Sequence, residues 1–167
     1  MKQAVVAALA IALATPAMAQ DAPQADQAFD TDAVAQCLSS AQTDGARLDC
    51  AGAQQGACLE AVAENQPDAH PVDRELSCIE AEKQWWDARL NDRYTELMAT
   101  EEARGEERAA ALTRMEQGWI AFRDARCAYD RITNGHGTGG AVAEPLCILR
   151  ETARQTIMLM SYLRDRT

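Results

Sequence analysis

The sequence predicts an all-α fold, a small disulfide-stapled helical bundle in which two short N-terminal helices precede three longer ones. Three observations predict it. Apolar residues recur at steps of three, four and seven, and no run alternates strictly between apolar and polar. Ala is the commonest residue while Val and Ile are sparse, which suits helix better than pleated sheet. Six cysteines flank three turn signals at matching distances. With 167 residues, 47% hydrophobic and 25% charged, the chain has room for one ordinary domain with its own core.

Residues 1–19 read as a secretory signal peptide. Lys2 forms a short positive start, Ala4 to Ala14 is apolar, and Ala17-Met18-Ala19 gives a small-x-small cleavage pattern before Gln20. The apolar run is too short and Ala-rich for a membrane span. No Cys stands near the cleavage site, so a periplasmic or secreted protein without lipid anchor is expected. Residues 20–30 are polar and contain Pro23, and read as a flexible segment.

The first helix is expected over Thr31 to Gln42, capped by Asp30 or Thr31. The second runs from about Ala46 to Glu64, with Leu48, Ala51, Cys58 and Val62 on one face; residues 31–66 together form an N-terminal extension. Pro67 and Pro71 then break the chain, and residues 67–167 form the main helical domain. Its first helix, Asp73 to Ala103, contains no Pro or Gly and carries a stripe of Leu76, Ile79, Trp86, Leu90, Tyr94 and Leu97. The next, Glu106 to Thr133, carries Leu112, Met115, Trp119, Phe122 and Tyr129 at similar spacing. Asn134 to Gly140 is too glycine-rich for a helix, and Pro145 suits the first turn of a last one bearing Leu146, Leu149, Ala153, Ile157 and Met160.

Cys37, Cys50, Cys58, Cys78, Cys127 and Cys147 form an even set, which in an exported chain reads as disulfides. Antiparallel helices bring together residues equally far from their joining turn. Thr43-Asp44-Gly45 lies midway between Cys37 and Cys50, Asn65 to Pro71 between Cys58 and Cys78, and Asn134 to Gly140 between Cys127 and Cys147. Sequential pairing follows; crossed pairing of the first four stays open. Zinc is disfavoured because no C-x-x-C pair occurs and there are only two histidines.

The formal charge is −10, becoming −11 without Lys2, as 15 basic residues then face 26 acidic ones. Lys occurs only at Lys2 and Lys83, so neither a nucleic-acid stripe nor a polybasic membrane patch is present. The run Asn134-Gly-His-Gly-Thr-Gly-Gly140 lacks the strand before it and the Lys after it that phosphate loops need, so it reads as an inter-helix connection. His70 and His136 read as exposed loop residues without a catalytic partner. The carboxylate pairs Glu80 and Glu82, Glu101 and Glu102, and Glu106 and Glu107 read as solvated helix faces. No catalytic, metal or cofactor site is therefore expected. Trp86 continues the apolar stripe; Trp85, about 100° away, is either a rim residue or a partner-binding anchor.

The third helix reads Cys78-x3-Glu82-x4-Asp87-x2-Leu90-Asn91-x2-Tyr94-x2-Leu97, and the fourth Gln117-x-Trp119-Ile120-x2-Arg123-Asp124-x2-Cys127. Gly139-Gly140 and Cys147-x4-Thr152 follow. This order, covering about Cys58 to Leu163, resembles the LprI-type lysozyme inhibitor domain family of exported bacterial proteins. The resemblance implies a disulfide-linked helical domain in the envelope, non-catalytic and able to bind lysozyme. Cys37, Cys50 and their segment are an addition to the pattern, and Gln155 stands where many members carry Arg. The motif residues Asp87, Leu90, Asn91, Tyr94, Gln117, Trp119, Arg123 and Asp124 read as structural, with Arg123 expected to bridge Asp87 and Asn91 between helices.

Two functions compete. One is occlusion of the cleft of a basic lysozyme, or binding of another basic exported protein, steered by the acidic charge. Its most insertable element is the stapled segment Thr133 to Glu144 with His136. The other is an envelope interaction protein that docks through helix faces around Trp85.

Overall fold

The computed structural model describes residues 28–135 and 137–166. The expected signal peptide, residues 20–27 and His136 lie outside the described residues. Six α-helices and no strand occur among them: α1 (Thr31–Ser40), α2 (Asp44–Leu48), α3 (Gln55–Asn65), α4 (Pro71–Arg104), α5 (Glu106–Thr133) and α6 (Thr138–Arg164).

Each boundary has a local cause. Asp30 caps α1 by accepting the Ala33 N–H at 2.9 Å, and Thr43 caps α2 by accepting that of Ala46 at 3.1 Å. The second expected helix is thus two: residues 41–43 turn the chain, and Asp44 and Gly45 already belong to a short helix. Gly52, at φ 87°, separates that helix from α3. Pro71 opens α4 at a position where no intrahelical donor is needed, and the Nδ1 of His70 accepts the Val72 N–H at 3.3 Å. His70 is therefore a helix cap as well as exposed. A single residue, Gly105, joins α4 to α5 at φ 129°, a conformation that a Cβ would strain.

The last helix begins earlier than the glycines and Pro145 suggest. Its first turn lies directly on the end of α5. A Cβ on Gly140 would stand 1.9 Å from the Gly135 carbonyl oxygen and 2.9 Å from that of Arg131. The glycines serve close approach of two backbones, so the connection shrinks to residues 134–137. Pro145 sits inside α6, where its missing N–H leaves one helical bond unmade.

Helix α6 is the hub, packing most extensively on α4 and next on α5, with α3 against α4 and α2 against α6. The core has two parts. One gathers Phe29, Val34, Val62, Ile79, Trp86, Leu149 and Ile157; the other gathers Leu90, Leu97, Leu112, Leu159 and Leu163. Phe29 is buried, so the end of the segment expected to be flexible is anchored. Disulfides join Cys37 to Cys50, Cys58 to Cys78 and Cys127 to Cys147, the pairing that turn symmetry selects. The first two staple the extension internally and to α4; the third holds α5 to α6.

Candidate functional site

The residues singled out from sequence fall into two groups. The apolar ones converge: Leu90 is buried in the second core cluster, and Tyr94 and Trp119 pack against it. They sit where α4, α5 and α6 meet. The polar ones stay at the edge, with Asn91, Gln117 and Asp124 exposed and Asp87 half-buried.

Arg123 does not bridge Asp87 and Asn91 as expected. Its guanidinium binds the neighbouring Asp124 at 2.8–2.9 Å and lies 4.9 Å from the centre of the Trp119 ring. Asn91 turns back along its own helix and donates to the Asp87 carbonyl at 2.9 Å. The reason is local: an adjacent carboxylate and a flat indole one turn away satisfy a planar cation without spanning two helices. Arg123 still acts on Asp87 at longer range. Burial pushes the Asp87 carboxyl above its ordinary range, while Lys83 and Arg123 pull it down and Glu80 raises it.

Trp85 is half-buried at the rim of the first core cluster. Its ring meets Phe29 edge-on at 6.4 Å and Trp86 at 5.0 Å, and the guanidinium of Arg89 covers it at 3.7 Å. These contacts hold the segment preceding α1 on α4.

The carboxylates hold the largest correction. Glu82 and Glu101, expected on solvated faces, are buried, as are Glu116 and Glu151. Glu82 accepts the Gly52 N–H and the Gln55 amide at 2.7 Å each, and the Trp86 indole N–H at 3.2 Å. Gln55 also donates to the Cys78 carbonyl at 3.2 Å, so one carboxylate ties the extension to α4. A signal was present: Glu82 is four residues from Cys78 and shares its face, which a disulfide turns toward another segment. Glu101 pairs with Arg104 and Arg166, and Glu151 with Arg126 and Arg154. Glu116 accepts from the Gln155 amide at 2.6 Å, and burial raises its pKa. This last contact accounts for Gln155.

Glu82 and Glu116 are engaged by donors within the fold, Glu101 and Glu151 by arginines at its surface, and none faces another across a cleft. All six cysteines are bridged, and no group of three metal-ligating side chains gathers among the described residues. A cleft of about 460 Å³ opens where α4 begins and α5 turns into α6, beside the stapled connection. Glu75, Asp130 and Arg150 line it together with Val72 and Leu146. It is wide, charged at its edges and suited to surface contact. No helix among the described residues is long and apolar enough to cross a membrane.

A family model described as Lysozyme inhibitor LprI matches residues 63–159. No curated protein and no solved structure matches the chain. The matched span begins within α3 and covers α4, α5 and most of α6; it holds Ile79, Trp86, Leu149 and Ile157 of the first core cluster and all named residues of the second but Leu163. The Cys37–Cys50 staple and Glu82's partners Gly52 and Gln55 lie before it, as an extension secured by the buried carboxylate. Over more than half its length, this chain belongs to the LprI lysozyme inhibitor family.

Proposed function

We propose that the protein is an exported, non-catalytic inhibitor that occludes the substrate cleft of a basic lysozyme. The observation that carries this reading is the family match over residues 63–159. The net charge of −10 supports it, since an acidic surface speeds encounter with a strongly basic enzyme. The engagement of four buried carboxylates by structural partners supports a binding rather than a catalytic role.

The docking element in this reading is the bundle end that holds the 134–137 connection and His136. The Cys127–Cys147 bond and the close contact at Gly140 limit the freedom lost when that end binds. Trp85 is the anchor in the competing reading, an envelope interaction protein. Its enclosure by Phe29, Trp86 and Arg89 favours the bundle end over Trp85.

The test is clearing of a bacterial cell-wall suspension by a chicken-type lysozyme, with the oxidised protein added in rising amounts at low and physiological salt. Inhibition surviving physiological salt is expected. Inhibition confined to low salt would mean unspecific charge pairing, and its absence would put the interaction-protein reading first. Loss of inhibition in His136→Ala, with Trp85→Ala unaffected, is the expected assignment of the surface.

A further inference from the structure

Helix α5 is apolar on two sides. Its inner side buries Leu112 and Cys127, while its outer side leaves Phe122, Tyr129 and Ile132 at 56, 65 and 68% exposure. These three belong to a stripe of Gly118, Phe122, Ala125, Tyr129 and Ile132, in steps of 4, 3, 4 and 3 residues. Steps averaging 3.5 residues are those of a seam between two helices. All five are exposed, whereas Met115, one step before them, packs inward on the second core cluster. Single exposed apolar side chains are ordinary, but a straight stripe of roughly 21 Å marks an interaction face.

Charge selects the occupant. The chain carries −10, yet no carboxylate stands on this face between Ala111 and Ile132. Glu116, Asp124 and Asp130 all lie more than a quarter turn from the centre line of the stripe, at about 100° per residue. The nearest charges are Arg114 and Arg126. A basic enzyme gains nothing here and is repelled by Arg114. Two copies of an acidic chain, by contrast, can meet on their carboxylate-free sides and keep their acidic surfaces apart.

Size selects the same occupant. Small and bulky residues alternate along the stripe from Gly118 to Tyr129. In an antiparallel two-fold arrangement, Phe122 lies opposite the second copy's Ala125 and Tyr129 opposite its Gly118. Each aromatic side chain then fills the space left by a Gly or Ala, and the same patch serves both copies. We infer that the outer face of α5 is a homodimer interface, formed by two antiparallel α5 helices with Phe122 and Tyr129 seated over Ala125 and Gly118.

Sedimentation velocity of the oxidised full chain, from about 1 µM to about 1 mM, tests this. The expected result is a reversible dimer that added salt does not weaken, because the seam is apolar. Ala125→Phe places a second ring in a layer that Phe122 already fills, and is expected to weaken the dimer by at least about tenfold. The exchange variant Phe122→Ala with Ala125→Phe restores the large-on-small layers and should restore the dimer. Residues 122 and 125 are exposed, so helicity and melting of the dilute variants should match the parent. A chain still monomeric at about 1 mM would overturn the inference. So would a dimer indifferent to Ala125→Phe, or an exchange variant that stays monomeric.

Discussion

Glu82 and Trp86, one turn apart on α4, are hydrogen-bonded to each other with no exposed surface on either: the indole N–H donates to the carboxylate at 3.2 Å. The same carboxylate accepts the Gly52 N–H and the Gln55 amide. A buried acid ringed by three donors is satisfied only as an acceptor. Glu82→Gln turns one acceptor atom into a donor that faces donors. It should lower unfolding free energy by about 1–3 kcal/mol, read as a lower urea midpoint at unchanged slope.

The Cys58–Cys78 bond closes a loop over 20 residues and joins α3 to α4. Replacing both cysteines by Ser should cost about 3 kcal/mol, mostly through the freedom returned to the unfolded chain. Thermal unfolding of the double variant beside the oxidised parent checks this; an unchanged midpoint would count against the bond's role.

Gly140 and Gly56 should respond in opposite ways to Ala. At Gly140 the new methyl meets two backbone carbonyls, which cannot yield as a side chain can, so a loss on the order of 2 kcal/mol or more is expected. At Gly56, in α3, nothing lies within 4 Å, and Ala should stabilise by up to about 1 kcal/mol. Denaturation of the two variants side by side checks both signs.

Glu116 makes stability depend on pH. Burial raises its pKa, and the bond from Gln155 offsets part of that. The folded protein therefore holds this proton more tightly than the unfolded chain. As pH climbs past the ordinary value of 4.5, the unfolded chain releases its proton first, and stability falls until the folded group ionises too. Glu116→Gln keeps the neutral form at every pH. It should be more stable than the parent at neutral pH and equal to it below about pH 4. Melting temperatures of both across that range provide the comparison.

What the sequence made legible follows from what each signal reports. The cysteine pairing could be read because turn residues sit midway between partners. The bounds of α4 and α5 could be read because Pro71 and Gly105 act locally. The start of α6 could not, because Gly139 and Gly140 look like helix breakers until the backbone they touch is known. Buried Glu82 and Glu101 were misplaced for a related reason: a carboxylate beside cations has the pattern of a solvated face, and only the tertiary donors distinguish it. On α5 the stripe ran together two faces. Leu112 and Trp119 turn inward while Phe122 and Tyr129 turn out, because a helix apolar on both sides does not reveal which side is covered. Arg123 needs no partner on another helix, because Asp124 and Trp119 on its own helix satisfy it.

The central proposal is occlusion of a lysozyme cleft. Its most direct test is steady-state hydrolysis of a soluble chitooligosaccharide by a chicken-type lysozyme at physiological salt, with increasing amounts of the oxidised protein. Occlusion predicts competitive behaviour, a rise in apparent KM at constant kcat, because substrate and protein exclude one another. Unchanged kinetics with the soluble substrate, even where cell-wall clearing slows, would contradict it.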